Sequence, residues 1–199
     1  MTFTPLEALA ALFGAVSVYL SVRENVWSWP TAIVNVTLYI LVFFRAKLYA
    51  DMALQVVYIA ISVYGWHQWL HGGAGRTTLP VTRLTRRLAA VLVAIGAVSV
   101  LLLGSVLGRY TDAALPWLDS ATTATSLIAQ WMMAKKILEN WLVWVAVDVV
   151  YIGMFLFKSL TLTAALYAVF LVLSAAGYLQ WRKSLRLDAR NAGCAAVPS

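Results

Sequence analysis

The sequence has little charge and a single cysteine. Only 12% of its 199 residues are charged, against about a quarter in a typical soluble domain, whereas 62% are hydrophobic. This composition excludes a soluble enzyme, a disordered protein and a nucleic-acid-binding module. The one cysteine, Cys194, excludes an internal disulfide and a cysteine-based metal cage.

Signatures of several enzyme and pump classes are also missing. The chain contains no P-loop, no zinc-protease motif and no nucleophile-elbow sequence. The last hydrophobic run has no lysine, which excludes a retinal protein. The start, MTFTPLEALA, lacks a basic region, so we expect no cleavable signal peptide. We therefore expect a protein of the lipid bilayer that holds no cofactor and no metal.

Hydrophobic runs fill most of the chain, and short charged breaks separate them. Each run approaches the roughly 20 residues that a helix needs to cross a bilayer. A backbone in lipid must satisfy its own hydrogen bonds, so the runs are predicted to be helices. The sequence thus predicts an all-α membrane protein with seven transmembrane helices. The predicted spans are 5–22, 27–44, 48–69, 87–108, 115–134, 139–157 and 160–181.

Two segments are polar instead of hydrophobic. Residues 71–86 are predicted to form a surface loop, and residues 182–199 a solvated, mobile cytoplasmic tail. Of the 15 Lys and Arg residues, four fall on the amino-terminal side of the predicted topology and the other eleven on the opposite side. Because cytoplasmic loops are rich in Lys and Arg, we expect the amino terminus outside and the carboxyl terminus in the cytoplasm.

The chain contains an internal repeat, in which residues 22–69 align with residues 134–181 without a gap. Three spans alone would leave the second copy inverted in the membrane, and the intervening span, 87–108, reverses that inversion. The bundles 5–69 and 115–181 are therefore predicted to be parallel. Such repeats are typical of transporters that bind substrate between their halves near the midplane. The alternative is a gene duplication in a membrane protein that transports nothing. The most informative matches are Trp29 with Trp141, Tyr39 with Tyr151, Gly65 with Gly177, and Trp69 with Trp181.

Polar and aromatic residues recur at helical spacing inside several spans. A polar residue inside a membrane is costly and indicates function by default. Together the side chains suit a flat, polar ligand that can carry positive charge. Without midspan Arg or Lys, a phosphorylated substrate is not expected. The candidates are Trp29, Asn35 and Tyr39 in span 2, Gln55 and Tyr58 in span 3, Gln130 in span 5, and Asn140, Trp144, Asp148 and Tyr151 in span 6.

Each candidate also has a structural interpretation. Asp148 can serve as an interhelical hydrogen-bonding residue, and Gln55, Gln130 and Asn35 can join neighbouring helices. Tryptophans near span ends are often interfacial anchors.

Several segments resemble the Pnu family of bacterial vitamin transporters, most closely its nicotinamide riboside transporters. They are RENVWSWP (23–30), NVTLYILVFFRAKLYADMALQ (35–55), YGWHQW (64–69) and AKKILENWLVWVAVDVVYI (134–152). The resemblance covers residues 5–182. It implies a SWEET-like fold, with two parallel three-helix bundles joined by one helix, and a homotrimer in the bacterial inner membrane. It also implies that Asn140, Trp141, Trp144, Asp148 and Tyr151 form the substrate segment of span 6, with Gln55 and Tyr58 as the span-3 counterpart.

The function implied by this resemblance is uptake of nicotinamide riboside, a precursor of NAD, by facilitated diffusion through alternating access. A cytoplasmic kinase would then trap the substrate. The nearest alternative is a thiamine transporter of the same family. Less favoured are an intramembrane enzyme acting on a lipid, for which Asp148 is the one strong acid–base candidate, and a scaffold protein without a cavity.

Overall fold

The computed structural model describes residues 5–45, 49–111, 115–157 and 161–195. The predicted starts of spans 3 and 7 at residues 48 and 160, the Lys47 and Lys158 counted for topology, and the end of the predicted tail at 196–199 lie outside these ranges. The described residues form seven α-helices, as expected, joined by non-helical connections, one of which contains a short 3₁₀ turn at Ala74–Arg76. The helices are α1 (Pro5–Val22), α2 (Ser28–Arg45), α3 (Tyr49–His71), α4 (Arg86–Tyr110), α5 (Pro116–Ala134), α6 (Asn140–Phe157) and α7 (Thr161–Ala195).

Five of the seven described helices are long and apolar enough to cross a membrane, judged by length and composition. They are α1, α2, α4, α6 and the part of α7 between Thr163 and Asp188. The other two, α3 and α5, carry polar side chains at helical spacing along their length. Their lower hydropathy is consistent with one face of each helix being turned away from lipid.

The last helix is longer than the sequence predicted. The segment expected to be a separate tail from residue 182 is instead the continuation of α7 as far as Ala195. Residues 182–190 are mostly Arg, Lys, Leu and Ala, which all have high helix propensity, and no Gly or Pro interrupts them. The helix can therefore extend beyond the apolar run that the sequence marks.

Six of the helices form a closed ring. Within the first half α1 packs on α2 and α2 on α3, and within the second half α5 packs on α6 and α6 on α7. The ring closes through two contacts between the halves, α3 with α5 and α1 with α7. Helix α4 packs on α5 from outside the ring, where the Trp117 ring lies directly against Gly104.

Contacts between the halves are reciprocal. The Trp69 indole Nε1 donates to the Met133 carbonyl at 3.1 Å, and the Trp181 Nε1 donates to the Ser21 carbonyl at 3.0 Å. Met133 and Trp181 follow Ser21 and Trp69 by the same 112 positions that relate the sequence repeat. Such reciprocity, in which each half gives the other the contact it receives, is characteristic of a two-fold relation.

The α1–α2 and α5–α6 loops meet at one end of the ring. Lys136 Nζ and Glu24 Oε2, which occupy equivalent positions of the repeat, form an ion pair at 3.2 Å. The Lys136 ammonium also lies 4.7 Å from the centre of the Trp69 ring. The two half-molecules are therefore joined at this end by a charged pair as well as by tryptophans.

The predicted surface loop 71–86 packs against this same end rather than projecting freely. The Thr82 N–H donates to the Lys136 carbonyl at 2.9 Å, and the Leu138 N–H donates to the Thr82 carbonyl at 2.8 Å. The Leu84 N–H donates to a Glu139 carboxylate oxygen at 2.8 Å. Val81 is buried among the tryptophans. The connection between α3 and α4 is therefore hydrogen-bonded to the loop between α5 and α6.

Candidate functional site

A cavity of about 1020 Å³ lies between the two halves. All six helices of the ring contribute to its lining, and α4 contributes no described residue. Its volume is at the upper end of the range typical of small-molecule sites. The cavity therefore occupies the place between the repeats where a transported solute is expected.

Two tryptophans in equivalent positions form paired walls of the cavity. The Trp29 ring crosses α3 at Gly65, and the Trp141 ring crosses α7 at Gly177. A Cβ atom at either glycine would approach the ring to 2.4–2.5 Å, so only glycine permits this close packing. Both indole Nε1 atoms are buried and have no hydrogen-bond partner within the described part of the chain.

Buried polar atoms without partners are concentrated at this cavity. Native proteins leave few such atoms, and each usually implies a bound water or ligand. Six occur among the described residues, and five of them belong to residues that line the cavity. The five are Ser28 Oγ, Trp29 Nε1, Ser126 Oγ, Trp141 Nε1 and Trp144 Nε1.

Asp148 places a carboxylate in the cavity wall. Its residue is only 3% exposed, and its Oδ2 accepts a hydrogen bond from the Ser174 hydroxyl at 3.1 Å. Among the described residues, no Lys or Arg forms an ion pair with it, and none lines the cavity. A buried carboxylate is costly without a compensating charge. The site is therefore suited to a ligand that brings a positive charge.

Aromatic rings surround the Asp148 side of the cavity. Tyr151 stacks on Phe155 with ring centroids 5.8 Å apart, and Tyr167 contacts them at 4.9 and 5.1 Å. Phe170 meets Tyr167 edge to face at 5.6 Å. Flat heteroaromatic rings stack on such surfaces, and cations are attracted to their faces.

Ten of the eleven residues predicted for the site line the cavity, and the other, Asn140, does not. Asn140 is fully buried but outside the lining, because its Nδ2 donates to the Ile137 carbonyl at 2.6 Å and caps the turn before α6. Asn35 lines the cavity, although its Nδ2 donates to the Ala10 carbonyl and so also joins α2 to α1. The lining members are Trp29, Asn35, Tyr39, Gln55, Tyr58, Gln130, Trp141, Trp144, Asp148 and Tyr151.

The sequence-based site contained no residue from α1 or α7, and both helices line the cavity. Tyr167, Phe170 and Ser174 of α7 lie at i, i+3 and i+7 and share one helix face. The repeat alignment could have found them, since Ser174 is the equivalent of Ser62. From α1, Glu7 is a lining residue that the sequence reasoning also missed.

Helices apolar enough to cross a bilayer thus enclose a ligand-sized cavity with unpartnered polar atoms. No group of His, Cys, Asp or Glu residues that could hold a metal ion occurs in the described ranges. Apolar helices around a cavity of this size are the arrangement expected of a multi-pass membrane transporter of a small solute.

The comparisons with known proteins agree with this class. A family model described as nicotinamide mononucleotide transporter matches residues 4–183, and the chain belongs to that family. It is accordingly a transporter and not an enzyme, which confirms the resemblance seen in the sequence.

Individual relatives are distant but cover most of the chain. The nicotinamide riboside transporter PnuC of Escherichia coli (strain K12) is 26% identical, over 91% of this chain and 86% of the relative. The riboflavin/roseoflavin transporter RibM of Streptomyces davaonensis is 25% identical, over 92% of this chain and 87% of the relative. The crystal structure of the vitamin B3 transporter PnuC matches with a TM-score of 0.72 and 28% identity, covering 91% of this chain and 82% of that chain.

Proposed function

We propose that this chain carries nicotinamide riboside across the bacterial inner membrane by facilitated diffusion. The observation that carries the proposal is the buried, unpaired Asp148 carboxylate in an aromatic cavity. Nicotinamide riboside brings a flat pyridinium cation to that carboxylate. Its carboxamide and ribose hydroxyls match the unpartnered indole and hydroxyl groups.

The charge of the cavity argues against the phosphorylated form of this vitamin. The lining contains two acidic residues, Glu7 and Asp148, and neither Lys nor Arg among the described residues. Phosphate recognition normally depends on Arg or Lys. The riboside, which lacks phosphate, is therefore the better match than the mononucleotide in the family's name.

The proposed architecture is a SWEET-like 3+1+3 arrangement, in which α1–α3 and α5–α7 are parallel bundles joined by α4. The reciprocal Trp69 and Trp181 hydrogen bonds support it. So does the meeting of the two equivalent loops at one end, since antiparallel repeats would place them at opposite ends. Alternating access would follow from one bundle rocking against the other around the cavity.

The proposed topology places the end with Glu24, Lys135 and Lys136 in the cytoplasm, together with the carboxyl terminus, and the amino terminus outside. The concentration of Lys and Arg at this end supports it. The buried cluster that contains Trp29, Trp69, Trp141 and Trp181 then closes the cavity towards the cytoplasm. Assembly as a homotrimer and trapping of the substrate by a cytoplasmic kinase, both implied by the family resemblance, complete the proposal.

A second candidate substrate is riboflavin, which the similarity to RibM favours. Thiamine, which is also cationic and heteroaromatic, remains the alternative that the sequence raised. Riboflavin is uncharged and would leave Asp148 uncompensated, so this side chain favours the riboside.

The test is ligand-induced thermal stabilisation of the purified protein, followed by uptake into proteoliposomes. Nicotinamide riboside at 100 times its Kd should stabilise the folded state by about 2.7 kcal/mol through mass action. Its mononucleotide, thiamine and riboflavin should compete weakly. In vesicles without kinase, labelled riboside should equilibrate and not accumulate. Absence of riboside binding, or stronger binding of another vitamin, would refute the substrate assignment.

A further inference from the structure

Part of the cavity lining is repeated in the two halves. At the 112-residue offset, Trp29 corresponds to Trp141, Tyr39 to Tyr151 and Ser62 to Ser174, and all six line the cavity. The stacked pair Tyr39–Phe43 repeats as Tyr151–Phe155 with the same centroid separation of 5.8 Å. These repeated groups alone would accept a flat ligand in two orientations related by the two-fold relation, whereas the carboxylate of Asp148, whose equivalent is Val36, lines the cavity in the second half only.

The equivalence fails along the first contact between the halves, which we call the α3–α5 seam. It is defined by Gln55 and Tyr58 of α3 and by Ser126 and Gln130 of α5, all of which line the cavity. Every one of these four side chains is polar. Ser126 is only 3% exposed, and its hydroxyl, which lies near the Tyr58 side chain, belongs to the unpartnered atoms described above. This seam therefore offers hydrogen-bonding groups that the protein does not fully use.

The second contact between the halves, the α1–α7 seam, has the opposite character. The residues equivalent to the polar four are Tyr167, Phe170, Gly14 and Val18, which also line the cavity. Tyr167 is the one member with a polar side-chain atom, its phenolic hydroxyl, whereas Phe170, Gly14 and Val18 have none. Asp148 is hydrogen-bonded to Ser174 of α7, the helix that also carries Tyr167 and Phe170.

Resting on the proposed function, we propose that the two seams fix the orientation of the ligand. The flat cationic ring lies at the α1–α7 seam, where Tyr167 and Phe170 stack on it beside Asp148. The hydroxyl-bearing sugar lies at the α3–α5 seam, where Gln130 and Ser126 hydrogen-bond to it. Gln130 and Ser126 are then specificity-determining residues for the sugar, and Tyr167 for the ring.

The experiment compares two ligands that share the cationic ring. Nicotinamide riboside carries the sugar, whereas 1-methylnicotinamide has a methyl group in its place. Displacement of labelled riboside is measured on the purified full-length protein, and direct calorimetric titration gives both affinities for each variant. The variants are Gln130→Val, Ser126→Ala and Tyr167→Leu. The matched control is Gln180→Val, the same change at an exposed α7 position outside the lining.

Gln130→Val should weaken riboside binding about tenfold and change 1-methylnicotinamide binding less than twofold, because it removes only bonds to the sugar. Ser126→Ala should weaken riboside binding about threefold and leave 1-methylnicotinamide binding almost unchanged. Because this substitution removes only one hydroxyl group, it keeps the test valid if Gln130→Val fails to fold. Tyr167→Leu should weaken the binding of both ligands by the same factor. Gln180→Val should change the binding of neither ligand.

Two results separate this proposal from the proposed function. If the wild-type protein binds no riboside, the substrate assignment fails and the seam assignment fails with it. If the riboside binds but Gln130→Val and Ser126→Ala weaken both ligands equally, only the orientation is wrong. Failure of millimolar 1-methylnicotinamide to displace riboside from the wild type also overturns the orientation. The cationic ring would then have no binding site that is independent of the sugar.

Discussion

Replacing Asp148 by Asn is the most direct test of the charge in the cavity. The amide has the shape of the carboxylate, and its oxygen can still accept the hydrogen bond from Ser174. The substitution therefore removes the negative charge while keeping the contact between α6 and α7. Asp51→Asn is the matched control, because Asp51 is exposed and lies outside the cavity lining.

The expected magnitude follows from the burial of the carboxylate. A unit charge 4 Å from a pyridinium interacts at about 4 kcal/mol with an effective dielectric constant near 20. Desolvation of both groups offsets roughly half of that energy. The remaining loss of about 2 kcal/mol corresponds to a decrease in riboside affinity of about thirtyfold, within a range from tenfold to a hundredfold.

The assay is calorimetric titration with nicotinamide riboside and with its uncharged dihydro form, which has nearly the same shape. Asp148→Asn should weaken binding of the cationic riboside and leave binding of the dihydro form within threefold. The free energy of unfolding of the ligand-free variant should not fall, since the substitution removes a buried charge that no opposite charge among the described residues balances. Equal losses for both ligands would show that Asp148 maintains the shape of the cavity and does not balance charge.

Three further outcomes follow from contacts elsewhere in the molecule. Gly177→Ala should lower the free energy of unfolding by about 1–3 kcal/mol and weaken riboside binding, because its Cβ would lie 2.5 Å from the Trp141 ring. Gly153→Ala is the control, because the new Cβ would lie in open space, and it should stabilise α6 by up to about 1 kcal/mol. Equal melting temperatures of the two variants would contradict the close-packing argument. Glu24→Gln should destabilise the protein by about 1–3 kcal/mol by leaving the Lys136 ammonium buried and unpaired, and adding Lys136→Met should restore part of that loss in thermal unfolding. An additive double variant would show that the ion pair contributes no coupling.

Several residues of the cavity lining were predictable because helical spacing places them on one face of a helix. Gln55 and Tyr58 on α3, and Trp144, Asp148 and Tyr151 on α6, are polar or amphipathic groups in otherwise apolar spans, and all five line the cavity. The cost of placing such groups against lipid is what makes the pattern informative.

Other residues were not predictable by that reasoning. Tyr167 and Phe170 are aromatic residues in an apolar helix, a pattern equally typical of a lipid-facing surface. Asn140 continues the polar stripe of α6 but lies at the first residue of the helix, where its side chain satisfies a backbone carbonyl. Spacing identifies a face of a helix and does not reveal what occupies the space beside it.

The number of helices, their approximate ends and the repeat between the halves were determined by the sequence alone, because hydrocarbon tolerates only long apolar runs with satisfied backbones. The tertiary structure decided that α3 meets α5 while α1 meets α7, and so made one seam polar and the other aromatic. It also decided which buried polar atoms lack partners. These features depend on how each helix is rotated against its neighbours, which is set by packing between residues far apart in the chain.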